Sequence, residues 1–181
     1  MNFLELIKIR QSVRKYSDKN VETEKIEKCI EAARLAPSAS NAQPWKFIVV
    51  NNPELKNKIA NDTFSTVVPF NKFTLQAPVI IVVTIEKPNV MSMIGSRLKN
   101  KEYKLIDIGI ATEHFCLQAT ELGLGTCILG WFNENKIKKI LNIPKKKTIG
   151  VLITLGYPCN EYIIRDKKRK NTDEIRTYNK Y

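Results

Sequence analysis

The run from Val79 to Ile85 is seven β-branched residues long, and few structures accept such a run. Branching at Cβ stiffens each side chain at χ1 and favours a pleated strand over a helix. Apart from Thr84 no polar residue interrupts it, so neither face of the strand is meant for water. A strand of this kind needs cover on both sides, which in a chain of 181 residues means helices packed against a central sheet. Phe47 to Val50 reads as another buried strand, and residues 126–130 and 148–156 as two more.

Helical spacing fills the intervals. Phe3, Leu4, Leu6, Ile7 and Ile9 predict a short, well-buried helix over residues 3–10. Ile26, Cys29, Ile30, Ala33 and Leu35 predict a second one that stops before Pro37. A proline-led helix follows over residues 53–59, and another lies over 133–141. From Tyr103 to Leu122 the apolar positions wrap most of the way round a long helix, which places it at the centre of the fold, and Gly123 ends it. Residues 60–76 and 87–101 lack clear periodicity and are read as loops or short helices that shape a substrate entrance. Periodicity thus gives one domain over residues 1–181, a mixed sheet sandwiched by helices.

Composition excludes several classes of function. No apolar stretch reaches the ~20 residues a membrane-spanning helix needs. The segment Met1-Asn2-Phe3-Leu4-Glu5 shows no basic stretch followed by an apolar one, so no secretory signal and a cytoplasmic location are expected. Cys29, Cys116, Cys127 and Cys159 are widely spaced and His114 is the only histidine, so neither a metal site nor a disulfide framework is expected. His114 itself reads as a core or interface residue rather than a base or ligand. The net charge of +12 is concentrated in residues 136–181, with 13 Lys and Arg against 4 Asp and Glu. No reading helix or aromatic interleaving accompanies these charges, so a solvated surface and no specific nucleic-acid partner are expected.

Two stretches near the front carry the chemistry. In Arg10-Gln11-Ser12-Val13-Arg14 two guanidiniums stand four residues apart at the end of a helical pattern, with a hydroxyl between them. That spacing lets both reach one side, where a phosphate and a polar heterocycle would find charge and hydrogen bonds. The second stretch runs from Ala36 to Phe47 and offers small hydroxyls and amides in a loop closed by Pro44. Such a loop can converge on a flat ring without steric obstruction.

This pair of motifs resembles the nitroreductase family of FMN-binding enzymes. The resemblance continues through residues 123–132, Leu141-Asn142-Ile143-Pro144, Leu155-Gly156-Tyr157-Pro158, and Lys167-Lys168-Arg169 followed by Asp173-Glu174-Ile175. It implies an α+β fold, a three-layer α-β-α sandwich with a central mixed sheet, as a homodimer in which the C-terminal segment reaches over the partner.

The resemblance also implies an FMN-binding role for Arg10, Gln11, Ser12 and Arg14. Arg10 would hold the FMN phosphate together with Lys167 or Lys168 and Arg169, and Arg14 would face the pyrimidine end. Pro37, Ser38, Ala39, Ser40, Asn41 and Gln43 would meet the ring from the other subunit. Leu129 and Gly130 match a segment whose backbone approaches flavin N5. Asn71 is either an amide on the pyrimidine edge or a loop-capping residue, and Trp131, where a smaller side chain is usual, either stacks beside the pocket or fills core. No catalytic side chain or metal is implied, because the flavin itself carries the hydride. NAD(P)H would serve as donor, and a small-molecule acceptor such as a nitroaromatic, quinone or flavin would be reduced by ping-pong transfer. The alternative is a member of the same fold that fragments flavin, removes halogen or modifies peptides without reducing nitro groups.

Overall fold

A computed structural model describes residues 1–181. Four strands, β1 (Trp45–Val50), β2 (Val79–Ile85), β3 (Gly125–Leu129) and β4 (Thr148–Gly156), form one sheet in the order β1-β2-β4-β3. Because successive strand residues point to opposite faces, the apolar run of β2 serves two cores at once. Ile80 and Val82 enter one, with Val50, Ile59, Leu129, Ile137 and Leu152. Val79, Ile81 and Val83 enter the other, with Ile26, Ala33, Ile108, Phe115 and Ala119. Helices α3 (Pro53–Asn61) and α6 (Glu134–Ile140) supply the first face. Helices α2 (Thr23–Arg34) and α5 (Tyr103–Glu121) supply the second. The three-layer α+β arrangement follows from that double burial.

The sheet differs from the expected mixed one. All three ladders are antiparallel, β1 with β2, β2 with β4, and β3 with β4. Parallel pairing is confined to a single bridge between Ser12 and Thr126. Buried strands separated by helices suggest parallel crossovers, but the β1–β2 and β3–β4 connections return to the end of the sheet they left, and the one crossover, from β2 to β3, sets those strands on either side of antiparallel β4.

Local signals fix most boundaries. Asn52 caps α3, its side chain accepting the Leu55 N–H at 3.0 Å, and Pro53 occupies the first turn. Gly123, at φ 77°, ends α5 with paired bonds, Leu124 N–H to the Ala119 carbonyl at 2.8 Å and Gly123 N–H to Thr120 at 3.0 Å. His114 lies 3.3 Å through Nδ1 from the Ala32 carbonyl and joins α5 to α2. Burial pushes the Cys29 and Cys116 thiols up to about 12, so both behave as apolar core groups.

One open alternative is decided and two expectations are corrected. Residues 90–99 form a ten-residue helix, α4 (Val90–Lys99), started by Asn89, which accepts the Ser92 N–H at 2.9 Å. Helix α1 (Phe3–Ile9) buries none of its residues, and Phe3 and Leu4 face outward. The long helix α5 is covered on one side only: Leu105 and Ile106 remain 52% and 54% exposed. Its all-round apolar character exceeds what one chain can bury.

The exit of β4 is tied to the start of α2. Tyr157 donates its hydroxyl to Glu22 at 2.7 Å and accepts from Lys25 at 2.7 Å, while Lys25 also reaches the Leu122 carbonyl at 3.1 Å. The Tyr157 hydroxyl bond, with further help from the Glu22 backbone N–H and Lys19, lowers the Glu22 carboxyl from its usual range to about 2. A depressed carboxyl pKa contributes stability that is present above the usual value of about 4.3 and is lost as pH falls through about 2. Glu22→Gln should therefore flatten the acid limb of the stability profile between those two values, measured by denaturant unfolding at stepped pH. An unchanged acid limb would show that Glu22 is not so linked.

Candidate functional site

The front motif leaves α1 and runs along the end of the sheet. Helix geometry stops at Ile9, and Arg10 already has extended backbone at φ −58° and ψ 123°. Residues 10, 12 and 14 thus share a side by strand alternation, not by the helical turn that their spacing suggested. Val13, between them, points inward and is buried. Its N–H donates to the Thr126 carbonyl at 2.8 Å. Room for it exists because residue 125 is glycine: a Cβ there would lie 2.6 Å from Val13 Cγ2. Tyr16 anchors the far end, its hydroxyl donating to the Val13 carbonyl at 2.9 Å and lying 2.7 Å from Thr154 Oγ1 in β4. Burial raises the Tyr16 pKa and keeps this anchor neutral.

The tail returns to the same face. Arg165, Asp166, Lys167, Lys168 and Arg169 close on Arg10, Gln11, Ser12 and Arg14 around a cavity of about 330 Å³ whose lining holds no hydrophobic residue. Six cations and one carboxylate surround that space. Arg10 Nε is steadied by Glu113 of α5 at 3.2 Å. The Lys167 ammonium donates to the Ile7 carbonyl in the last turn of α1. Burial first, and then the charges of Arg10 and Arg169, lower the Lys167 pKa. Like charges crowd here because the chain folds them together, and a multiply charged anion relieves the crowding.

That donor set fits the phosphate of FMN. It does not fit an aromatic ring, which needs apolar cover, so the ring would lie outside this cavity. Arg14 leads away from it, with its guanidinium 5.8 Å from the centroid of the Phe73 ring. Leu129 is buried, while Gly130 is exposed and open: a Cβ there would meet nothing within 4 Å.

The loop of residues 37–43 is not brought to the cradle within one chain. None of its residues lines that cavity. Ser40, Asn41 and Gln43 hold φ of 51°, 52° and 45°, a left-handed conformation costly for residues with a Cβ. It persists because four bonds hold it. Ala39 N–H donates to buried Asp107 at 3.0 Å, and Gln43 N–H to Ser38 Oγ at 3.0 Å. Gln43 Nε2 donates to Asn41 Oδ1 at 2.9 Å, and Asn89 Nδ2 to the Ser40 carbonyl at 2.8 Å. The exposed amides of Asn41 and Gln43 are thereby fixed in direction.

Asn71 is only 4% exposed, and its Nδ2 donates to the carbonyls of Thr63 and Trp131, each at 3.2 Å. Its amide hydrogens are spent on holding two loops together. Trp131 does not fill core: it is 57% exposed and leans on Phe70, ring centroids 6.2 Å apart.

Sequence reasoning missed Arg165, Tyr162 and Glu113. Arg165 belongs to the same basic run as Lys167, so composition held a signal for it. Glu113 carried little, standing between Thr112 and His114 on a helix that also holds Asp107 and Glu121.

The fold thus sets an anion cradle at the end of a helix-covered antiparallel sheet and a rigid polar loop elsewhere, and the comparisons with known proteins give its class as that of the nitroreductase-family oxidoreductases. The nitroreductase family model matches residues 7–70 and 67–157, and the chain belongs to that family. An oxygen-insensitive NADPH nitroreductase of Helicobacter acinonychis is 31% identical over 183 residues, covering 82% of this chain and 83% of that protein. The structure of an FMN-dependent nitroreductase from Clostridium difficile R20291 superposes with a TM-score of 0.76 at 28% identity, over 99% of this chain and 100% of that one. Iodotyrosine deiodinase 1 of Mus musculus is 27% identical over 194 residues, 96% of this chain and 68% of that protein. No helix is long and apolar enough to cross a membrane.

Proposed function

We propose that this chain is an FMN-dependent oxidoreductase that uses NAD(P)H to reduce electron-poor acceptors such as nitroaromatics, quinones or flavins. The carrying observation is that Arg10 and Arg14 line one cavity with Lys167, Lys168 and Arg169, more than 150 residues further along the chain. When bound, FMN supplies hydride transfer at N5 in a ping-pong cycle, and the protein's task is to hold and tune it. Arg10, Arg165, Lys168 and Arg169 bind the phosphate, with Lys167 contributing charge from its seat on the α1 carbonyl. Arg14 sets positive charge beside the pyrimidine end, which favours the reduced state. Ser12 flanks the ring, and the open surface at Gly130, next to buried Leu129, lets ring and substrate stack closely.

The reading includes a homodimer. Phe3, Leu4, Leu105 and Ile106 form unpartnered apolar surface around α1 and α5, which a second copy would cover. The held loop of Pro37, Ser38, Ala39, Ser40, Asn41 and Gln43 would then reach the partner's ring. Residues up to Arg169 stay with their own chain, so any tail exchange begins after them, where Ile175 and Tyr178 are 72% and 75% exposed. The whole of residues 1–181 acts as one domain in this reading, in the cytoplasm.

The test is the visible spectrum of the purified protein, with the released cofactor identified by mass, followed by stopped-flow mixing with NADH and NADPH. Bound FMN that bleaches with either donor is the expected result. Colourless protein that does not retain added FMN overturns the reading. Retained FMN that neither donor bleaches favours a dehalogenating or other flavin-handling enzyme, a reading the deiodinase relative supports.

A further inference from the structure

Gln11 sits in the front motif but spends its amide elsewhere. Its Nε2 donates to the Ile163 carbonyl at 3.2 Å, and its Oε1 accepts from Arg165, from N–H at 3.2 Å and from Nε at 3.4 Å. A carbonyl on one side and two N–H donors on the other leave only this orientation of the amide. Two further bonds lie beside it. The Tyr162 hydroxyl accepts the Arg14 N–H and donates to the Ser12 carbonyl, both at 3.1 Å, and Arg165 Nη2 donates to that same carbonyl at 2.8 Å. Every one of these bonds joins residues 11–14 to residues 162–165.

We infer that Gln11 and Tyr162 are a latch: positioning residues that hold the tail closed over the cradle before any anion arrives. The need for one follows from the charges. Six cations facing one cavity repel one another, so in the free protein the tail is pushed outward by the charges that make the site useful. The bonds that Gln11 makes to the Ile163 carbonyl and the Arg165 N–H, and those of the Tyr162 hydroxyl, oppose that push without using a cationic donor. Gln11 Oε1, an acceptor turned to Arg165, has nothing to offer an anion, so its position in the motif serves tail closure rather than ligation. Linkage then connects the latch to affinity: if only the closed tail binds FMN, the apparent Kd rises by the factor by which the closed fraction falls.

The inference rests on the proposed FMN reading for its affinity arm alone. Amide hydrogen exchange of the FMN-free full-length protein reads the latch without any cofactor. Gln11→Ala should speed exchange of the Arg165 amide and its neighbours in residues 162–167 by about tenfold, the loss of net hydrogen bonds worth roughly one decade. Tyr162→Phe, which removes one hydroxyl and little else, should speed exchange of the Arg14 amide to a similar degree. In titrations with FMN the Gln11→Ala Kd should rise by the factor by which the closed fraction, calculated from the exchange protection of the same variant, falls. If Gln11 were instead a direct ligand, Kd would rise while tail exchange in the free protein stayed at the parental rate, and the latch would be overturned. Parental exchange in both variants overturns it as well. Faster exchange in a protein that takes up no FMN would sustain the latch and remove the cofactor assignment.

Discussion

An Arg10→Ala, Arg169→Ala double variant should lose FMN affinity by on the order of a thousandfold, since each guanidinium makes charge-assisted bonds worth roughly 1.5–3 kcal/mol. Riboflavin, which lacks the phosphate, should bind the variant as it binds the parent. That contrast matters more than the size of the loss, because a general disturbance of the fold would weaken both ligands. The free variant should also melt no lower than the parent. Arg10 and Arg169 contribute to the field that lowers the Lys167 pKa, so their removal relieves repulsion in the empty cradle. Against this, Glu113 loses its 3.2 Å partner, but its side chain is 40% exposed and water can replace the bond. Titration by flavin fluorescence quenching, with both ligands, measures the outcome. Equal losses for FMN and riboflavin would show that the cavity does not hold the phosphate.

Much of this architecture was legible in advance, for identifiable reasons. The β-branched run of β2 could only be a doubly covered strand, and Gly123 could only end α5, because each leaves the backbone one good option. Helix α4 was harder to see. Its cap, Asn89, is a clear signal, but Val90, Met91, Ile94 and Leu98 face out and blur the periodicity that reveals a helix packed on a core. Strand direction was not legible, because burial on both faces does not say which way a neighbour runs.

The site divides along the same line. Charge and spacing singled out Arg10 and Arg14, while Lys167 and Arg169 were expected from the family resemblance, and the structure gathers all four around one cavity. Charge and spacing could not announce Gln11's partner, because its bonds go to residues at least 152 positions away. Nor could they tell that Asn71 donates both its amide hydrogens to the Thr63 and Trp131 carbonyls. Hydrogen-bond capacity is written in a side chain, but its direction is decided by tertiary contacts.

Gly125→Ala should destabilise the protein by about 1–3 kcal/mol, the usual cost of overpacking. For a chain of this size that lowers Tm by roughly 2–4 °C for each kcal/mol. The added Cβ would stand 2.6, 2.8 and 2.9 Å from Val13 Cγ2, Cβ and Cγ1, closer than carbon atoms tolerate. Val13 cannot swing aside. It is β-branched, buried, and pinned on either side of its own Cα by Thr126 and Tyr16. Strain must therefore pass into the backbone, moving Ser12 and Arg14, and FMN binding should weaken along with the fold. Val13→Ala in the same chain should restore only part of the loss: it removes both Cγ atoms but leaves the 2.8 Å contact between Cβ atoms. Gly130→Ala is the matched control for stability, since its Cβ would meet nothing within 4 Å. Thermal unfolding of the three proteins without flavin decides the matter. If Gly125→Ala melts with Gly130→Ala, the front motif is not seated on residue 125, and the rigid base assigned to the cradle is lost with it.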